Sequence, residues 1–293
     1  MTNSFREQFK FYKRKDTPLD MSKIVEIDDW MNPEMCTRRI QFEDTIEVEN
    51  KIFGMKKASD WFVYQISCVP VMCQDYDNLH NFFSNSGNVN GISTLKKLRW
   101  ATFGYHHNWN TKVYSESSKS EFPPDLKRLC HCLADILNFK NFDPQAAILN
   151  LYNFGSSLSG HTDHSEINLE APLFSFSFGQ SAIFLIGGKT VEENAVPLLI
   201  ESGDIIIMSQ YSRLCYHGIP RIIAANKEPW NSSNVTQNKL SDNPHEKIFD
   251  DDIIEELYDS KQWTPYNEYV NKNRINLNIR QVLLPGQQLL RTS

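Results

Sequence analysis

The chain has 293 residues, 40% of them hydrophobic and 12% aromatic, which suffices to fill the core of one large domain or two small ones. Its formal net charge of −6 excludes a global basic field, so a nucleic-acid partner would need a local basic patch. No apolar run approaches the roughly 20 residues of a membrane-spanning helix, so no membrane partner is expected.

The opening FREQFKFYKRK is basic, with Phe5, Phe9 and Tyr12 at helical spacing. An amphipathic helix explains it, though a transit peptide or a nucleic-acid-binding arm shares the composition. Residues 1–95 otherwise read as an irregular or helical N-terminal extension, with the main domain at 96–293. The stretch 96–110, KKLRWATFGYHHNWN, is dense in aromatics. From Pro123 to Lys140 the spacing of Leu126, Leu129, Leu133 and Ile136 predicts a helix, with the prolines suited to its start.

Short apolar runs then follow one another: 146–153, 171–179, 181–188, 196–201, 204–209 and 214–223. Gly187-Gly188 and Ser202-Gly203-Asp204 punctuate them as turns. Many short strands in series argue for a barrel or a jelly roll rather than αβα units. Residues 224–262 interrupt the run with a polar insertion, which between Asp242 and Asp259 carries eight acidic side chains and one lysine. A surface loop, partly mobile, is expected there. A last strand follows at 274–284.

Six cysteines (Cys36, Cys68, Cys73, Cys130, Cys132 and Cys215) form no Cys-x-x-Cys pair and point to a reducing intracellular compartment, with nucleus, cytoplasm and mitochondrion open. The sequons at Asn231 and Asn234 then carry no weight. Cys130-His131-Cys132 lies in the expected helix, where adjacent side chains splay around the axis and suit zinc poorly. Gly187-Gly188-Lys189-Thr190 lacks the earlier glycine of a phosphate loop. Ser212 and His217 lack the strand–turn–helix setting of a hydrolase nucleophile.

The chemistry starts at GHTDHSE. His161 and Asp163 are two apart, so on an extended backbone they point to one side. With one more histidine they would complete a 2-His-1-carboxylate facial triad, which leaves open positions on Fe(II). His217, in a late apolar run, is the natural third ligand. His106, His107 and His164 are rivals, but His164 would point away and the other two precede the β region. In RINLNIR, alternation puts Arg274, Asn276, Asn278 and Arg280 on one face. Either that face is the wet side of an edge strand, or its arginines are enclosed and need anions such as a dicarboxylate or a metal-bound Asp. Asn150 and Tyr152 share a face one strand earlier, as carboxylate partners or ordinary sheet positions.

The segments LRWATFGYHHNW, AAILNLYNFGSSLSGHTDHSE, PLFSFSFGQSAIFLIGG, SGDIIIMSQYSRLCYHGIPRI and RINLNIRQVL resemble the AlkB family of dioxygenases, closest to the first AlkB homologue subfamily of animals and fungi. The likeness covers 96–223 and 270–284 well. It implies an α+β fold: a double-stranded β-helix (jelly roll) core with N-terminal helices packed outside. It implies Fe(II) on His161, Asp163 and His217, and 2-oxoglutarate and O₂ as co-substrates. Arg274 would hold the distal carboxylate, helped by Asn150 and Tyr152, with Asn276 in the same pocket and Arg280 bracing the metal side. The expected reaction is oxidative demethylation of a nucleobase in DNA or tRNA, releasing formaldehyde and succinate. A base-gripping lid would lie near 98–110, with Trp100, Tyr105, His106 and Trp109 as candidate contacts; those aromatics could equally pack under the core. A monomer is expected. Two positions depart from the family: Asn278 stands where threonine is common, and His164 where close relatives often have arginine. Other readings are a methyl-lysine or side-chain oxygenase serving a basic histone tail, a non-enzymatic jelly-roll binding module, and oxidation of a carbon-bound methyl in tRNA.

Overall fold

The computed structural model describes residues 4–16, 18–25, 56–58, 61–65, 99–226, 228 and 269–290. Most of the expected insertion at 224–262 lies outside the described residues, as do Lys96 and Lys97.

The last strand, β12 (Asn273–Arg280), organises the molecule. It pairs antiparallel with β5 (Ala146–Asn153) on one side and β7 (Leu173–Gly179) on the other. It is therefore a central strand, which rules out the edge-strand reading of its polar face. The major sheet continues from β5 to β3 (Trp100–Asn108) and β4 (Val113–Lys119). On the other side it continues from β7 to β10 (Asp204–Met208), β2 (Trp61–Gln65) and β1 (Lys56–Ala58). A minor sheet has the order β6 (Leu158–His161), β11 (His217–Ile223), β8 (Ser181–Ile186), β9 (Val196–Ile200).

Side-chain alternation stacks these sheets in layers. Leu173, Ile206 and Met208 of the major sheet meet Ala182, Phe184, Leu198 and Ile219 of the minor sheet in a dry inner core. The opposite face of the major sheet (Phe174, Phe176, Ile205, Ile207, Leu277, Ile279) packs under helix α2 (Pro124–Ile136) through Leu126, Cys130 and Leu133. On the far side, α1 (Ser4–Lys13) buries Phe5, Phe9 and Tyr12 against Ile183, Leu185 and Leu199 of the minor sheet. Two antiparallel sheets face to face, helices outside, make the double-stranded β-helix that the sequence suggests.

Three expectations need correction. The helix expected to run to Lys140 stops at Ile136, because Asn138 takes a left-handed conformation (φ 60°) and the amides of Leu137 and Asn138 close the last turn. The strands expected over 214–223 and 274–284 span His217–Ile223 and Asn273–Arg280. Gln210–Leu214, capped by Ser209, instead forms a 3₁₀ turn. Finally, the aromatic stretch from Trp100 to Asn108 is itself a strand of the major sheet, so His106 and His107 do not precede the β region.

Candidate active site

Cross-strand register brings the histidines together. His217 is the direct partner of His161 where β11 pairs with β6, and the register shifts just beyond them at Gly218. A Cβ on Gly218 would lie 3.0 Å from the Leu158 carbonyl, so a bare backbone is what lets the two strands close here. Asp163 follows two residues past His161, and the ligating atoms of all three side chains fall within 4.8 Å of one another. Each imidazole is oriented from behind: Nδ1 of His161 lies 2.9 Å from the Ser159 carbonyl and Nδ1 of His217 3.1 Å from that of Cys215. A carbonyl can only accept, so Nδ1 carries the proton and each Nε2 offers its lone pair inward. Phe184 stacks against the His217 ring at 5.8 Å.

The carboxylate is set by a buried ionic network. Arg280 Nη2 donates to Asp163 Oδ1 (2.8 Å) and its Nη1 to Glu166 Oε1 (3.0 Å). Arg213 donates to the Asp163 carbonyl (2.6 Å), the Ala171 carbonyl (3.0 Å) and Glu166 Oε2 (2.8 Å), and Tyr114 Oη donates to Glu166 Oε1 (2.9 Å). Two arginines against two carboxylates balance the charge, and the loop from Asp163 to Ala171 is clamped at several points. Burial would raise the Asp163 carboxyl, but the Arg280 guanidinium outweighs it and holds the group well below the ordinary carboxylate range. Burial, then the neighbouring His217, pushes His161 down to about 4. Near neutral pH the centre therefore presents an ionised Asp163 carboxylate and a neutral His161 imidazole.

From this centre a cleft of about 400 Å³, including its open mouth, runs between the sheets. Its far wall carries Arg274, 1% exposed, whose Nη2 donates to Ser177 Oγ (2.8 Å). Its Nε and Nη1 are buried without a hydrogen-bond partner, and burial lowers the guanidinium to about 10. Tyr152 lies beneath it, ring centroid 5.6 Å from Cζ. Asn276, also lining the cleft, donates to Ser175 Oγ and the Phe176 carbonyl, and Asn150 reaches Asn276 at 3.5 Å. Asn150 thus stands beside Asn276 on the same face, one strand over from the cleft lining, and Asn278 joins that lining.

The four aromatic-stretch candidates separate. Trp100 and Trp109 are exposed, with ring centroids 5.5 Å apart. Trp100 pairs with Asn150, so it projects on the cleft side of the major sheet. Tyr105 is buried against Ala146 and Val282, with its hydroxyl donating to Glu116, which removes it from any substrate surface. His106 contacts Thr102 Oγ1 at 2.7 Å. The rival ligands are placed elsewhere too: His107 Nε2 contacts Ser165 Oγ at 3.0 Å, and exposed His164 turns back to Thr162. Glu166, Arg213 and Tyr114 were not singled out by the sequence. Charged residues inside otherwise apolar runs were the available signal, but their partners are about 50 residues apart or more.

The residues suit a divalent metal and an organic dianion. Asp163 Oδ2 is buried without a hydrogen-bond partner beside two inward imidazole nitrogens, and the two orphaned Arg274 donors demand an anion. Jelly roll, facial triad and enclosed arginine together define a class, and comparison agrees: residues 50–280 match the 2OG-Fe(II) oxygenase superfamily, to which this chain belongs. That superfamily works with Fe(II), 2-oxoglutarate and O₂.

Within it, the AlkB resemblance is borne out by individual relatives. The mouse protein named "Nucleic acid dioxygenase ALKBH1" is 38% identical over 67% of this chain and 49% of its own length. The fission yeast protein named "tRNA demethylase abh1" is 29% identical over 96% of each chain. A Cryphonectria parasitica protein named "N6-methyladenosine RNA demethylase ALKBH" is 32% identical over 64% of this chain and 76% of its own. The chain spans about half the length of the mouse relative and of its human counterpart.

Proposed function

We propose that this chain oxidises a methyl group on a nucleobase of DNA or tRNA, using Fe(II), 2-oxoglutarate and O₂, and so demethylates it. The observation that carries the reading is the pair of complementary vacant valences in one cleft: Asp163 Oδ2 with two imidazole Nε2 atoms at one end, two buried Arg274 N–H donors at the other. His161, Asp163 and His217 would hold the metal. Bound there, Fe(II) would supply the O₂ activation that couples decarboxylation of 2-oxoglutarate to methyl hydroxylation.

The chain's own residues do the rest. Arg274 receives the far carboxylate of the co-substrate in a bidentate-capable fork, and Tyr152 packs against the same guanidinium. Leu173, Phe184, Ile206 and Met208 line the cleft and exclude water from the oxidising centre. Arg280, braced by Glu166, keeps the Asp163 carboxylate ionised and fixed. One oxygen atom of O₂ goes to succinate as CO₂ leaves, and the other makes a hydroxymethyl group. On nitrogen, that group breaks its C–N bond to release formaldehyde, and the nitrogen takes up the hydroxyl proton. Trp100 and Trp109, exposed at the cleft-side rim, would stack on a flipped or single-stranded base. The names of the relatives support a nucleic-acid substrate.

Succinate release from 2-oxoglutarate with Fe(II) and ascorbate, scanned over methylated DNA, methylated tRNA and methylated peptides, tests the reading. Stimulation by one nucleic acid with stoichiometric formaldehyde is expected. Stimulation by peptides alone would replace it with a protein oxygenase. Succinate with a retained hydroxymethyl or formyl base would replace demethylation with oxidation of a carbon-bound methyl.

A further inference from the structure

His107 is not a metal ligand, yet it touches both the metal loop and the aromatic rim. On β3 it is 8% exposed, and its Nε2 lies 3.0 Å from Ser165 Oγ, in the loop between Asp163 and Glu166. Its ring meets two aromatics edge to face. Trp109 has its ring centroid 4.7 Å away, and Tyr114, the cross-strand partner on β4, 5.3 Å away. Tyr114 in turn donates to Glu166 (2.9 Å), so one cross-strand pair of the hairpin holds two consecutive residues of the metal loop.

Stability does not explain a histidine at this position. Among the described residues its Nδ1 is buried with no hydrogen-bond partner. Burial lowers the imidazole pKa, so the ring stays neutral among Arg280, Glu166, Lys112 and Asp163. An unmet buried nitrogen costs free energy, and a phenylalanine of similar shape would fill the space without that cost. What the imidazole has and a phenyl ring lacks is the Nε2 contact to Ser165. That contact joins the loop carrying Asp163 to a ring packed on Trp109, whose indole is 42% exposed and pairs with Trp100 at 5.5 Å between centroids. The path from the exposed indole to the metal loop is two contacts long, and one of them is directional.

We infer that His107 is a positioning residue: through Ser165 it holds the Trp109 indole in fixed relation to the metal loop, and so places the methyl group of a stacked base for oxidation. This rests on the nucleic-acid reading above. Stacking tolerates every base and has little direction of its own, so placement has to come from whatever holds the indole. Placement matters because a displacement of about 1 Å between reacting atoms can cost on the order of 100-fold in rate. His107 acts through Trp109 and not on the reacting atoms.

The test joins a structural readout to a kinetic one, both on the full chain. In the metal-free protein the indole N–H NMR signal of Trp109, assigned with Trp109→Phe, should shift or broaden in Ser165→Ala, which removes the hydroxyl at the loop end of the bridge. With Fe(II), 2-oxoglutarate and a methylated single-stranded oligonucleotide, His107→Phe and Ser165→Ala should each lower kcat for demethylation roughly 10- to 100-fold and yield less than about half the formaldehyde per succinate of wild type. The KM values for oligonucleotide and 2-oxoglutarate should stay within roughly threefold. His107→Gln, whose amide nitrogen stands as many bonds from Cβ as Nε2 does, should recover most of the formaldehyde yield. A merely structural role would instead lower the melting temperature and raise the 2-oxoglutarate KM, and that result would overturn the inference. An unmoved Trp109 signal in Ser165→Ala, or full formaldehyde yield in both variants while wild type demethylates the oligonucleotide, would overturn it too and leave the nucleic-acid reading standing. If wild type turned over peptides alone, both would fall together.

Discussion

Arg274 is a guanidinium held in a dry wall with two donors unmet, a state that destabilises the ligand-free protein. Arg274→Met should therefore raise unfolding stability without ligand, by about 1–4 kcal/mol, read as a shift in urea midpoint. The same substitution should raise the 2-oxoglutarate requirement roughly 10- to 100-fold, the worth of one or two charge-assisted hydrogen bonds. Metal affinity should hardly move, and an unchanged co-substrate requirement would remove Arg274 from the cleft's chemistry. His161 supplies a pH dependence. Its folded value of about 4 lies below the ordinary histidine value of 6.5, so the unfolded chain binds its proton first. Stability from His161 is present above about pH 6.5 and lost as pH falls towards 4. His106 and His107, lowered by burial, have the same sign. His161→Asn should flatten part of the metal-free stability profile across that window, and an unaltered profile would contradict a half-buried neutral imidazole.

The elements matter for what they hold in register. The loop from Asp163 to Ala171 has no regular structure of its own and depends on Arg213 and Arg280 reaching it from the turn before β11 and from the end of β12. Glu166→Ala would leave both guanidinium groups short of a buried anion. A loss of about 3–5 kcal/mol is expected in chemical denaturation, together with weaker Mn(II) binding by the released Asp163. If the variant bound Mn(II) as tightly as wild type, the network would be a stability device only. β12 shows how far periodicity reaches: alternation placed its polar residues on one face, and the register against β5 and β7 turned that face inward. The helix end at Asn138 and the strand from Trp100 escaped such reading. One depends on a single left-handed residue, and the other on pairing with β5, which overrides a sequence too aromatic to alternate cleanly.

At the scale of the molecule, the sandwich couples its contents. The triad lies on the minor sheet and the loop after β6, Arg274 on the major sheet, so metal and dianion would tie the two sheets together. Mn(II), redox-silent under assay conditions, with 2-oxoglutarate should raise the melting temperature by roughly 10 °C at 100-fold excess over their dissociation constants. The pair should exceed the sum of either alone. Strict additivity would mean that the two ends of the cleft are not coupled.

The sequence by itself determined what is local or periodic. His161 and Asp163 lie two apart, β12 alternates, the apolar runs repeat at strand length, and Phe5, Phe9 and Tyr12 mark one helical face. These are set by backbone geometry within a few residues, so they are legible in one dimension. The tertiary structure alone decided that His217 faces His161, and that Tyr105 is core while Trp100 and Trp109 are surface. It also decided that Glu166 joins two arginines from distant strands. Each of these depends on strand register and sheet order, which are settled by burying both faces of two sheets at once and leave no mark at any single position.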